Sequence, residues 1–372
     1  MWTQSCTLVL AALACKATAF SLDATNSPSI KTGSADFARS LASMCPAGLL
    51  PAPAFWWESA NSLSALVSYQ HNTGDASYEH IVLAGILSQA TSANDFMMAG
   101  VGVANDDQAW WGRLAMSAAE YKISDPPAGQ PKWVDFATNV YNEQKGRWDT
   151  TRCKGGMKWK INPGEDGYDY KSTIATAGYF ELAARLALYN KDEAASGVAD
   201  AAYDWLVSVG LIDVKTFAVF DGTDDAKGSG CIDVNHNEWS YNIATVLYGS
   251  AVMATQTGDH KWIDRVNGFL GHIKDTFTLN GNLYEPFCEK GNNCDLDQQS
   301  FKAVLASLLA KTAAILPETA STVASILTPA ANTMAGDFSD SMGFGDKMTA
   351  LESVSGLLVL PKGKKLAIRF FA

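Results

Sequence analysis

The chain has 372 residues, of which 47% are hydrophobic and 18% charged, and its formal net charge is -11. That length holds one large core or two ordinary ones, and so few charges argue against a disordered chain. The acidic balance argues against nucleic acid and anionic membrane as partners, and it suits a neutral ligand such as a sugar.

The N-terminus reads as a secretory signal over residues 1–19. Thr7 to Ala14 is an apolar run of suitable length, and Ala17-Thr18-Ala19 supplies a small-x-small cleavage pattern. An extracellular or cell-wall location follows, with residues 20–372 as one domain. No later stretch reads as a transmembrane helix. Cleavage removes Cys6 and Cys15 and leaves five cysteines. In an oxidising compartment these are expected to pair as Cys288–Cys294, which bracket a short polar loop, and Cys153–Cys231. Cys45 is then left over.

The mature chain reads as helix after helix. Twelve segments begin near Ile30, Glu58, Ser77, Asp106, Pro131, Tyr170, Glu193, Ser240, His260, Asp297, Pro317 and Lys347. Phe301, Val304, Leu305, Leu308 and Leu309 mark one buried helical face by their i, i+3, i+4, i+7, i+8 spacing. Pro131 and Pro317 suit first-turn positions. The best strand pattern is short, near Thr216 to Phe220, beside Asp221-Gly222. No Pro- or Ser-rich linker divides the chain, so the class expected is all-α. Consecutive helical hairpins can close into a double ring, six inside and six outside, an (α/α)6 barrel. Its long loops, 93–105, 147–169, 221–238 and 279–296, would then gather at one end.

Those loops lead into polar-aromatic clusters. The first is Asn105-Asp106-Asp107-Gln108-Ala109-Trp110-Trp111, with Asn105 as the expected helix cap. Two adjacent carboxylates repel when both are ionised, so one keeps its proton to higher pH. An acid and a nucleophile at the same pH are what a retaining glycosidase needs. The flanking Trp rings suit the flat apolar face of a pyranose. Other clusters are Cys153-Lys154-Gly155-Gly156 with Trp159, Tyr170-Lys171-Ser172, Glu238-Trp239-Ser240-Tyr241-Asn242 and Asp297-Gln298-Gln299-Ser300-Phe301-Lys302.

With Phe55-Trp56-Trp57 and Asp221-Gly222, these motifs resemble glycoside hydrolase family 76, the α-1,6-mannanases, and its fungal cell-wall branch in particular. They stand in the family's order over roughly Ile30 to Leu309. Ser172 departs from the family's usual Asn, and an Arg expected shortly after Lys302 is missing. The resemblance implies retaining cleavage by a mannan endo-1,6-α-mannosidase, with Asp106 as nucleophile and Asp107 as general acid/base. It implies sugar binding by Trp57, Asn105, Gln108, Trp111, Trp159, Lys171, Asp221, Trp239, Tyr241, Asn242 and Phe301. The substrate would be α-mannan or a GPI-type mannose oligosaccharide. The alternatives are a cell-wall transglycosylase on the same glycans and a non-catalytic mannan-binding wall protein.

Other chemistries find no footing. There is no His-Glu-x-x-His, no Cys-x-x-Cys and no Gly-x-Ser-x-Gly. Gly100-Val101-Gly102 lacks the third glycine of a dinucleotide loop. Neither a metal nor a cofactor is expected.

Overall fold

The structure, a computed structural model, describes residues 19–98, 103–226 and 230–360. Residues 1–18 of the signal-peptide reading and Gly100-Val101-Gly102 lie outside the described residues. In chain order the helices are α1 (Ser27–Met44), α2 (Trp56–Thr73), α3 (Glu79–Gln89), α4 (Asn105–Glu120), α5 (Trp133–Arg147), α6 (Thr173–Asn190) and α7 (Glu193–Ser208). There follow α8 (Ser240–Thr257), α9 (His260–Thr276), two short helices α10 (Pro286–Glu289) and α11 (Leu296–Gln299), α12 (Phe301–Ile315), α13 (Ala320–Gly336) and α14 (Phe344–Gly356).

Six of them close a ring. Helix α2 packs on α4, α4 on α6, α6 on α8, α8 on α12, α12 on α14, and α14 back on α2. The others lie outside: α1 and α13 on α14, α3 on α2, α5 on α4, α7 on α6 and α9 on α8. Inner and outer helices alternate along the chain, as an (α/α)6 barrel requires.

Sequence decides which helix goes inside. Every residue of α6 from Thr173 to Ala187 is buried, and α12 is buried on nearly all sides. A helix apolar all round has no face for water. Outer α9 instead buries one stripe, Trp262, Val266, Phe269, Leu270 and Ile273. Small residues let inner helices approach closely. A Cβ on Gly249 of α8 would lie 2.4 Å from the Phe180 ring of α6.

The centre of the ring also holds charge. Arg185 bonds Glu120 at 2.7 Å and Glu181 at 3.0 Å, and Arg113 pairs with the other oxygen of Glu181. All four are buried or nearly so. Leaving one such charge without its partner costs far more than the pair contributes.

Five short strands complete the chain. Strands β1 (Tyr170–Ser172), β2 (Phe220–Asp224) and β3 (Val234–Glu238) form an antiparallel sheet. Strands β4 (Thr278–Leu279) and β5 (Asn282–Leu283) form a small hairpin. The expected strand at 216–220 is therefore displaced to Phe220–Asp224, where its partners β1 and β3 lie. Tyr170 starts a strand, not a helix, because its backbone pairs with Asp224. Pro131 precedes α5 and its cap Lys132, and Pro317 heads a 3-10 turn before α13. The two disulfides are Cys153–Cys231 and Cys288–Cys294, and Cys45 is a buried free thiol. No described helix is long and apolar enough to cross a membrane.

Glu181→Ala leaves the buried Arg113 without its carboxylate and takes one of two from Arg185, which keeps Glu120. It is expected to lower unfolding stability by about 3–5 kcal/mol, read from urea denaturation; a loss below about 1 kcal/mol would contradict this account of the core.

Candidate active site

Because hairpins alternate in direction, the inner helices all point their N-termini to the same end. A cavity of about 580 Å³ opens there. Its walls come from the starts of α2 (Phe55, Trp57), α4 (Asp106, Asp107, Trp110), α6 (Ser172, Ile174), α8 (Tyr241) and α12 (Phe301), and from the short α11 before it (Asp297). Loop and strand residues Trp159, Lys160, Gly167, Tyr170 and Asp221 complete them. Helix N-termini carry partial positive charge, which suits a site rich in carboxylates.

Asp106 and Asp107 sit side by side at the first turn of α4, each partly exposed to this cavity. Asp106 accepts the indole N–H of Trp159 at 3.1 Å and the amide N–H of Asp107 at 3.1 Å. Asp107 accepts the amide N–H of Ala104 at 3.0 Å. Ala104 is thus the residue before the helix, and Asp107 caps it by reaching back. The expected cap, Asn105, is already helical. Burial, then the charge of Asp107, pushes the Asp106 carboxyl up to about 8. Burial raises Asp107 as well, opposed by the Ala104 amide and Lys160. The two titrate as a pair and hold a proton well above the usual carboxylate range.

Aromatic rings form the floor. Tyr241 stacks on Phe301 with centroids 4.1 Å apart, Trp57 lies 5.5 Å from Trp110, and Trp110 lies 6.4 Å from Tyr241. Trp57 donates its indole N–H to Asp297 at 2.8 Å. Burial raises Asp297 to about 6, and the charges of Asp295 and Asp107 add to this. On the far wall the Tyr170 hydroxyl donates to Asp221 at 2.5 Å, and Asn235 donates to the same oxygen at 3.2 Å. Gly222 allows this, since a Cβ there would sit 2.5 Å from the Tyr170 ring.

Of the expected sugar-binding residues, Trp57, Trp159, Asp221, Tyr241 and Phe301 meet in the cavity. The other six do not line it. Asn105 is buried, donating to the Lys158 carbonyl at 2.8 Å and accepting from Arg147 at 2.7 Å. Gln108 is buried against Glu143 at 2.7 Å and Arg147. Trp111 stacks on Trp56 in the core, 5.2 Å between centroids. The Lys171 ammonium is buried among the carbonyls of Asp149, Arg152 and Gly155. Trp239 packs edge-on against Phe287 and Phe301, and Asn242 is fully buried.

On α4 helical period accounts for most of the division. Asp106 and Trp110 are i, i+4 neighbours at the cavity, whereas Asn105, Gln108 and Trp111 repeat every three residues on the buried face; Asp107 also reaches the cavity although Trp111, four residues on, does not. Tyr241 likewise reaches the cavity while Trp239 and Asn242, three apart, are buried away from it. Helical period was thus a signal already present in the motifs. It also marks Trp110, which had no assigned role in the sequence; Phe55, Lys160, Tyr170 and Asp297 line the cavity too, and helical period does not mark them.

Residues 31–363 match the profile of glycosyl hydrolase family 76. The chain belongs to that family. It is 33% identical over 336 residues to mannan endo-1,6-alpha-mannosidase DCW1 of Saccharomyces cerevisiae, covering 85% of this chain and 74% of the relative. Among solved structures it resembles Dfg5 of Chaetomium thermophilum in complex with glucosamine, with a TM-score of 0.85, 33% identity, and coverage of 90% and 91%. It also shares its fold with an α-1,6-mannanase of Salegentibacter sp. HEL1_6, at a TM-score of 0.73 and 18% identity over 89% of this chain and 99% of that one. That structure is an inactive variant, with two consecutive aspartates changed to alanine, bound to α-1,6-mannotetrose.

Two further carboxylates support this family 76 site from behind. Glu58 accepts the Phe55 N–H and the Ser300 hydroxyl, both at 2.7 Å, and so ties the start of α2 to that of α12. Glu285 accepts the Ser240 amide at 3.2 Å and its hydroxyl, capping α8. Burial raises them to about 7 and about 8. With Asp106 and Asp297, they bind protons in the folded state at a pH where the unfolded chain, with carboxyls near 4, has released them. Stability therefore falls as pH rises from about 5 to about 8. The thermal midpoint is expected to be higher at pH 5 than at pH 8, with a smaller fall in Glu285→Gln; a midpoint that rises over this window would contradict the raised values.

Proposed function

We propose that this family 76 protein acts on α-1,6-mannosidic bonds of mannan through a covalent glycosyl intermediate on Asp106. The observation that carries this reading is the adjacent carboxylate pair, raised above the usual range and open to an aromatic-floored cavity. Trp57, Trp110, Trp159, Tyr241 and Phe301 offer apolar faces to sugar rings, and Asp221 and Asp297 offer acceptors to hydroxyls. The names of the fungal relatives point to the same bond.

In the free site the pair keeps one proton near neutral pH. The glycosidic oxygen, arriving beside Asp107, draws that proton there. Asp106 is then ionised, with the Trp159 and Asp107 N–H groups supporting its charge. It attacks the anomeric carbon as Asp107 protonates the departing oxygen. Asp107 next takes a proton from the acceptor, which opens the intermediate with net retention. Water as acceptor gives hydrolysis, and a sugar hydroxyl gives chain transfer. The transfer reading gains support from the glucosamine complex of the Chaetomium thermophilum relative, because an amino sugar is the kind of unit a glycan acceptor contains. The two disulfides favour an oxidising, extracellular location.

Incubation with α-1,6-mannan, alone and with a GPI-type glycan, separates the outcomes: shorter chains mark hydrolysis, and mannan joined to the second glycan marks transfer. Binding without either product would favour a non-catalytic wall protein. Asp106→Asn and Asp107→Asn are each expected to lower turnover by about 10³-fold or more without unfolding. Full activity in either would contradict the assignment. The kcat/KM profile is expected to hold through pH 7 and to fall on an alkaline limb near about 8. A limb at the ordinary carboxylate value would contradict the coupled pair.

A further inference from the structure

A second cavity of about 480 Å³ adjoins the catalytic one, and Lys160 lines both. Its size is that of a small-molecule site. Four cations line it, Arg147, Arg152, Lys158 and Lys160, against a single carboxylate, Asp149. In a chain of net charge -11 that concentration is unusual. Asp149 is itself engaged by the Lys171 ammonium at 3.2 Å and by the Thr151 amide and hydroxyl.

Three of the cations have carboxylate partners behind the wall. Lys158 bonds Asp225 at 2.8 Å, Arg152 reaches Asp169 at 3.2 Å, and Arg147 reaches Glu143 at 3.3 Å. Lys160 differs. Among the described residues no carboxylate lies within ion-pair distance of it. Its ammonium lies 4.3 Å over the ring of Trp159, the same ring that donates to Asp106. An ammonium resting on a tryptophan face at the mouth between two cavities, with the charge of Asp107 near it but no carboxylate in direct contact, is a binding point for an anion. The guanidinium of Arg152, partly exposed on the same cavity, suits the oxygens of a phosphate, whereas that of Arg147 is held by Asn105, Gln108 and Glu143.

We propose that this second cavity is a subsite for a phosphate carried by the glycan whose mannosidic bond lies at Asp106 and Asp107. The inference rests on the mannan reading and narrows its substrate to phosphorylated mannose oligosaccharides. It also links recognition to chemistry. Lys160 holds the Asp107 carboxyl below where burial alone would put it. A bound phosphate neutralises that cation and lets Asp107 keep the proton it must deliver.

The test is calorimetric titration of the whole protein with α-1,6-mannotriose, the same trisaccharide bearing a 6-phosphate, and inorganic phosphate. The phosphorylated sugar is expected to bind about ten-fold tighter or more than the neutral one at low salt, with a preference that shrinks as salt rises. Lys160→Gln should bring the ratio near one, and Lys160→Arg should keep it. Equal affinity for the two sugars, or a preference that survives in Lys160→Gln, overturns the subsite and leaves the mannan reading standing. Inorganic phosphate binding as tightly as the phosphorylated sugar overturns the glycan-borne form. Binding of neither sugar overturns the mannan reading and this inference together.

Discussion

Two carboxylates on consecutive residues, held in a site partly closed to water, cannot both ionise at low cost. Coulomb repulsion between them is weak in bulk water and strong where the dielectric is low. Burial and mutual charge both act on Asp106, and burial acts on Asp107. A proton is therefore retained where an isolated carboxyl would have lost it. The proposed acid and nucleophile roles at one pH rest on that retention.

The rest of the fold keeps the pair from escaping this position. The residues on either side of it, Asn105 and Gln108, are held by Arg147 and their neighbours on α5, which also sends Gln144 to the Asn105 carbonyl. The loop bearing Trp159 is sewn to the start of α4 through the Asn105 amide, 3.0 Å from the Trp159 carbonyl. Lys171 in turn fixes the segment leading into that loop by binding three of its carbonyls. Residues that do not touch the cavity thus set the direction of those that do. A ring of six inner helices then supplies what no single helix can, several N-termini converging on one space.

Much of this was legible in the residues. All twelve main helices start within a few positions of their expected places, because apolar period and capping residues act locally. Asp192 caps α7 and Asp259 caps α9 by direct side-chain bonds, as their sequence context suggests. Both disulfide pairs and the leftover Cys45 also matched. What failed were assignments that treated a motif as a unit. Trp110 and Trp111 look alike in sequence, yet one floors the cavity and the other is core, because a helix turns each residue by about 100°. Lys160 gains its meaning only from Asp107, far along the chain, so local pattern could not reveal it; Asp297 stood in a noted cluster, but its bond to the distant Trp57 could not be read there. The strand β2 shifted for the same reason, since its ends are set by pairing with β1 and β3.

The most direct test of the pair is carbon-13 NMR titration of the aspartate side-chain carboxyls, in the native protein and in Asp107→Asn. The account predicts that the Asp106 carboxyl titrates near about 8 in the native protein and moves down when its neighbour loses its charge. Two carboxyls that both ionise near the ordinary value of about 4, unaffected by the substitution, would contradict it.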